Sequence, residues 1–544
     1  MNKLLAAVSA LAVSTAQADI YVDAANCPGP GNGTIEDPYC SIQAALNFGA
    51  GPVILVAPGT YGPINFNKLN FVVRSTDGPQ VTIIDGGGLP AVKCVNGESD
   101  MTLDGFTITG GQAAHPGGGG MIAWDCGATV MNCIFTGNTA IAANAGNGGG
   151  LYCLYSGVTV VNCVFTDNLA LSGGGLSVED SFVEVIDCTF DGNTAFNGGG
   201  ITHEAGGFGS GTLHVTDCRF IDNTVFEDGG GMACIDGLTT TITGCLFTGN
   251  TADGSGGGLG IFGSATPTVT NCTFALNTAA GIGGGMLDFA LQGGADVSNS
   301  VSWLNTPPSV LVFSVITYSS FDNFPAGITN INEYAMFVDP ANGDFRLLPG
   351  SPCIDSGSND VVPADLTTDL DGNPRFLEIP ETQDCPQLPG SCGDLPVVDM
   401  GAYESLGGGC LAVTSQEIVC HANGTTFTVN VEGLNACTGG TTQVTFTASG
   451  GSVGEELCFT ALVSDGGFCC STKICVTIPD CTPAALPSDL NGDGIVGLAD
   501  FLALLGAWGS CSDCGTPQAC PADFDGDCSV GILDLLILLG NWGP

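Results

Sequence analysis

A pattern built around Cys-x-Phe-x-x-Asn returns six times between Phe106 and Ser300, each copy followed by a run of glycines before Leu, Ile or Met. The shared cysteines are Cys133, Cys163, Cys188, Cys218, Cys245 and Cys272, and the gaps between them vary only slightly. A near-constant period with elastic spacing means stacked units whose variable loops face outward. A chain of this kind has few other ways to fold.

The repeat can be read position by position. Three residues before each cysteine stands Val130, Val160, Val185, Val215, Ile242 or Val269; two residues after it stands Phe135, Phe165, Phe190, Phe220, Phe247 or Phe274. β-Branched and aromatic residues at fixed alternating places predict short strands with one buried face. Just before each cysteine is Asn132, Asn162, Asp187, Asp217, Gly244 or Asn271. These types tolerate left-handed backbone angles, so a one-residue bend is expected there. One asparagine per coil follows, from Asn138 through Asn168, Asn193, Asn223, Asn250 and Asn277 to Asn305. In register, their amides can bond to one another at about 4.8 Å per step. Three short strands per coil give a mainly β fold, a right-handed parallel β-helix. A leucine-rich solenoid would need a Leu-x-x-Leu-x-Leu period, and none is present.

The cysteine column reads as reduced packing, because side chains stacked in parallel do not face each other as a disulfide requires. Gly and Pro are abundant, at 85 and 28 residues, but the glycines are periodic and 28 Phe supply a core. Residues 1–18 read as a secretory signal: Lys3, apolar Leu4 to Val13, then Ala16-Gln17-Ala18. That stretch is too short to span a bilayer, and no later segment is long enough. A secreted, extracellular or cell-surface protein is expected, and 27 cysteines suit that setting. The net charge of −46 repels nucleic acid and anionic lipid, and repels uronic-acid polymers unless cations bridge them.

Ile20-Tyr21-Val22-Asp23, Ser41-Ile42-Gln43-Ala44-Ala45-Leu46 and Val56-Ala57-Pro58-Gly59-Thr60-Tyr61 resemble the opening of secreted bacterial proteins of the pectin-lyase-like superfamily. In that family the short helix from Ser41 caps the first coil. The Phe-x-x-Asn and Gly-Gly-Leu/Ile pairing is also similar to polymorphic outer-membrane adhesin repeats. Coils are therefore expected over 19–335. Phe337-Val338-Asp339-Pro340, Leu348 to Asp355 and Val398 to Glu404 resemble the family's closing segment, so 336–406 is expected to cover the last coil.

Residues 407–481 alternate in strand fashion with eight cysteines, which predicts a small disulfide-rich β-sandwich acting as a spacer or a carbohydrate binder. In 482–544, Asp489 to Asp500 follows the EF-hand-type loop, and Asp523 to Asp534 repeats it. The Ca2+ ligands expected are Asp489, Asn491, Asp493, Ile495 (by its carbonyl) and Asp500, then Asp523, Asp525, Asp527, Ser529 (by its carbonyl) and Asp534. Position 9 is Gly497 or Gly531, so water must complete each shell. Position 6 of the second loop is Cys528, where glycine is usual. Paired loops, each followed by one apolar helix, resemble a dockerin type I module. The resemblance implies a cohesin-like partner, with recognition at positions 10 and 11, here Leu498-Ala499 and Ile532-Leu533. Zinc bound by Cys511, Cys514, Cys520 and Cys528 is the alternative to disulfides there.

Lyases on the β-helix use a basic residue and a neutralised uronate carboxylate. From Met101 to Ala335 the only Lys or Arg is Arg219, which alternation points outward. Hydrolases need clustered carboxylates, and Glu179 and Glu204 hold equivalent places in successive coils. Trp124 and Tyr152 on the same face offer rings for sugars. The Asn-Thr-Asp, Asp-Asp, Gly-His-Gly and Arg-Ile-Lys motifs of polygalacturonases are absent. His203 is expected to be a buried neutral imidazole, and His214 a surface group. The reading is a non-catalytic protein that binds extracellular polysaccharide or cell surfaces and docks by its tail. The alternative is a polysaccharide lyase or glycoside hydrolase.

Overall fold

The computed structural model describes residues 19–376 with short breaks, 397–405, the backbone of five strands between 411 and 477, and most of 488–541. The signal segment, Cys385, Cys392 and Cys514 lie outside the described residues. The chain divides into two units, 1–407 and 408–544.

In the first unit the strands stack into three long parallel sheets of 12, 11 and 10 strands and a shorter one of six. Consecutive coils contribute neighbouring strands, so the unit is a parallel β-solenoid. Phe135, Phe165, Phe190, Phe220, Phe247 and Phe274 form one inward column, with adjacent ring centroids 4.4–5.0 Å apart and planes within 10°. Each buried ring contributes about 2–3 kcal/mol by leaving water. Cys133 to Cys272 form a second inward column of free thiols. There each cysteine N–H points at the next sulfur, 3.4–3.5 Å away.

The asparagines form a third column. Each Nδ2 donates to the next Oδ1 at 2.8–3.0 Å, from Asn138 through to Asn305. The bends fall where the sequence put them, with φ between 47° and 54° at Asn132, Asn162, Asp187, Asp217, Asn271 and Asn299. Close stacking also explains the glycine runs. A Cβ on Gly149 or Gly174 would stand 2.4–2.5 Å from the carbonyl oxygen of the glycine in the next coil.

Helix α1 (Ile42–Phe48) buries Ile42, Ala45 and Leu46 in the same core as Ile20, Val22 and Ile54 of the first coils. Ser41 caps it by accepting from Ala44 N–H. Disulfides join Cys27 to Cys40 and Cys94 to Cys126.

The closing segment departs from expectation. Instead of covering only the end of the stack, it lies on the side wall. Phe337, Phe345, Ile354, Leu370, Met400 and Tyr403 pack with the outward Leu246, Ala275 and Val301. Ala275 stands where earlier coils present Thr136, Thr166 and Asp191, while Leu246 and Val301 continue the column of Ile134 and Val164, so the cover lies over an apolar strip.

In the second unit, Leu411–Cys420, Thr426–Asn435 and Thr441–Ser449 form an antiparallel sheet, and Glu456–Asp465 pairs with Phe468–Thr477. Near the C-terminus, helices α2 (Leu498–Gly506) and α3 (Ile532–Gly540) share a small core of Val496, Leu504, Val530 and Leu538. Cys511 is bonded to Cys520, which removes the four-cysteine zinc reading, and the Cys528 thiol is free. No described helix is long and apolar enough to cross a membrane.

Candidate functional site

On the ten-stranded sheet one outward column runs, in register, Val95, Trp124, Leu154, Glu179, Glu204, Ile235, Phe262 and Phe289. Two carboxylates therefore sit side by side, one coil apart, with an aromatic ring two coils away on either side. Burial, then Glu179, then Asp236 hold the Glu204 carboxyl above its ordinary range. Glu179 is bound differently. Its Oε2 accepts from Tyr152 Oη at 2.5 Å and from Asn147 Nδ2 at 3.4 Å.

That bond overturns one expectation. Tyr152 is 2% exposed, packed with Ile122 and Leu154, so its ring is no platform for a sugar. Burial and the Glu179 carboxylate raise its phenol well above the usual value. Loops of neighbouring coils fold over this outward position, a tertiary effect that strand alternation does not report. Trp124 lies at the edge of the same cluster and is half-buried. Phe289, at the other end of the column, is 58% exposed.

Arg219 points outward as alternation requires, yet its Nη2 donates 2.7 Å to the Leu370 carbonyl of the closing segment. It is a fastener between wall and cover. His203 is buried, its Nδ1 2.8 Å from Thr240 Oγ1 and its Nε2 without a partner among the described residues. Burial lowers its pKa to about 4, so it is neutral. The exposed His214 pairs with Thr241. Sequence reasoning missed Asn147 and the buried Asp180, whose carboxylate accepts from Gly206 and Ser210 N–H. A signal for Asp180 existed: like Asp125, Tyr155 and Asp236 it occupies a recurring bend with positive φ.

In the tail, Asp489, Asp493 and Ile495 lie outside the described residues. The last acid of each loop is described in both copies, and its bonding is duplicated. Asp500 accepts from Leu490, Asn491 and Gly497 N–H; Asp534 accepts from Phe524, Asp525 and Gly531 N–H. Every partner is shifted by the same interval along the chain. These bonds hold both carboxyls below the ordinary range: for Asp500 the Gly497 N–H leads, and for Asp534 the three N–H bonds outweigh desolvation.

Asp523, Asp525 and Asp527 bring carboxylate oxygens within 4.8 Å of one another. At Asp525 the Asp527 N–H lowers the pKa, but desolvation and repulsion from Asp527, Asp534 and Asp523 leave it raised. Converging hard oxygens under mutual repulsion are the donor set a hard cation satisfies, so the residues fit Ca2+. Ser529 Oγ donates to Asp527 at 2.8 Å, leaving its carbonyl as the position-7 donor. Cys528 has a φ of 70°, the angle for which glycine is usual at that place.

Residues 82–213 match the family model described as a right handed beta helix region. The solenoid is a right-handed β-helix. No curated protein matches the chain. The β-helix and its disulfides are compatible with an extracellular, carbohydrate-associated protein.

Proposed function

We propose that this is a secreted β-helix protein that binds glycan on its Trp124–Phe289 wall without cleaving it and docks through a calcium-ordered, dockerin-like tail. The observation that carries the reading is the fate of the candidate catalytic groups. Arg219, the one candidate base, is fastened to Leu370, and Glu179 is bound by Tyr152 and Asn147. What remains on the wall is an acidic pair between aromatic residues, suited to hydroxyl hydrogen bonds and ring stacking. The overall charge favours a neutral glycan over a polyuronate.

The docking half rests on the tail helices. Leu498, Leu502 and Leu505 are exposed along one face of α2, and Ile532, Leu536 and Leu539 along the equivalent face of α3. An exposed i, i+4, i+7 apolar stripe is costly unless a partner covers it. Calcium would supply charge neutralisation that lets the loop acids pack, and the duplicated bonds of Asp500 and Asp534 hold each loop's last ligand in place. The strands of 407–481 act as a spacer.

One observation favours the second reading, a depolymerase. Glu204, held above its ordinary range by burial and then by the neighbouring Glu179, has the character of a general acid. Incubating the protein with pectate and with neutral polysaccharides, in the presence of calcium, tests both. The proposal expects no product. Product lost in Arg219→Ala would establish a lyase, and product lost in Glu204→Gln a hydrolase.

A further inference from the structure

The closing segment meets the β-helix along one corner column, and two members of that column are amides that bind it. Asn271 Nδ2 donates 3.2 Å to the Asp399 carbonyl, and Asn299 exchanges two bonds with Ser358 at 2.8 and 2.9 Å. Asp217 stands two coils before Asn271 at the same bend, with the same positive φ. Its Oδ1 is buried and has no partner among the described residues.

The closing segment brings Arg375 to this seam, 0% exposed. Its terminal nitrogens are already engaged: Nη1 by Glu404 at 2.9 Å and by the Gly401 carbonyl, Nη2 by the Ala402 carbonyl. Its Nε has no partner among the described residues. Buried Asp369 and Asp399 stand in the same seam, each satisfied by backbone N–H groups. One guanidinium thus serves several carboxylates, and Asp217 is the one left without a hydrogen bond on an oxygen.

We propose that Asp217 is a proton-operated clasp: neutral, it lets the closing segment lie on the wall as Asn271 and Asn299 do, and ionised, it drives the segment off. The groups facing it are Asp187 on the preceding coil, Cys245 on the following one, and Arg375 and Asp369 on the segment; Arg219, two residues on, is held by Leu370. Burial comes first in raising its pKa to about 8; Cys245, Asp187 and Asp369 add to this, and Arg375 opposes it. A detached Asp217 would titrate near ~3.9. The docked state therefore binds the proton more tightly. Docking is strongest in acid, weakens by up to about tenfold per pH unit as pH rises between those values, and levels off above the upper one. Release uncovers Leu246, Ala275 and Val301, an apolar strip increasingly open to a partner as pH rises.

Hydrogen exchange on the full-length protein between pH 5.5 and 9, corrected for intrinsic rates, tests this. Amides of 353–375 and 397–404 should lose protection with rising pH while those of the Phe-column strands keep theirs. Asp217→Asn should hold the segment more firmly as pH rises, any remaining loss of protection coming from Asp399 and Glu404, which burial also holds above the ordinary carboxylate range. Asp187→Asn removes a repulsive neighbour, so ionised Asp217 costs the docked state less and the segment should keep more of its protection at the alkaline end. Segment protection independent of pH in the unmodified protein would overturn the proposal, as would an Asp217→Asn protein that follows the unmodified curve.

Discussion

The Tyr152 phenol and the Glu179 carboxylate are joined by a 2.5 Å hydrogen bond, between a buried ring and an acid one coil farther along the wall. A carboxylate bound in this way is a weak nucleophile, because its charge is already stabilised in the ground state. Tyr152→Phe deletes the donor and keeps the packing. It should lower stability by about 1–2 kcal/mol, measured by denaturant unfolding. No loss would mean that the bond contributes nothing.

The amide column should be far less tolerant. Asn193 Oδ1 receives both the N–H and Nδ2 of Asn168, and its own Nδ2 serves Phe165 O and Asn223. Asn193→Ala leaves several buried polar groups unpaired, at about 1–3 kcal/mol each, and should cost at least ~3 kcal/mol. Asn162→Ala, at an exposed position of the corner column, should cost about 1 kcal/mol.

These columns were legible because each side chain repeats at a fixed place in every coil, so stacking alone decides its neighbours. Cys133, Phe135, Asn138 and the bend at Asn132 all lie where the period puts them. The wall was less legible. Tyr152 is buried by loops of neighbouring coils, and Arg219 is covered by a segment far along the chain, contacts that no local period encodes. Ala275 did carry a signal, as an apolar residue where earlier coils place Thr136, Thr166 and Asp191, whereas Leu246 and Val301 share their column with Ile134 and Val164 and do not stand out.

His203 gives a pH-dependent stability. Its pKa falls from about 6.5 unfolded to about 4 folded, so folding requires the neutral ring. Stability should be constant above the upper value and decline as pH falls towards the lower one, by up to about 3 kcal/mol, then level off. His203→Leu should abolish that decline. Acid unfolding profiles of the two proteins that coincide would rule this out.

Calcium should order the tail. Titrating the full-length protein should give two binding events, and Asp534→Ala should remove one together with exchange protection in α3. Cys528→Gly relieves a left-handed angle and should tighten the second event. Identical helix protection with and without chelator would show that the loops do not need the metal.

The central claim is that the wall holds glycan and does not cut it. Co-sedimentation of full-length protein with insoluble neutral polysaccharide, with the supernatant assayed for released sugars, measures both at once. The account predicts retention on the polymer with no product, and binding weakened at least tenfold in Trp124→Ala with Phe289→Ala. Soluble oligosaccharides that disappear in Glu204→Gln, or retention unchanged when both rings are removed, would contradict it.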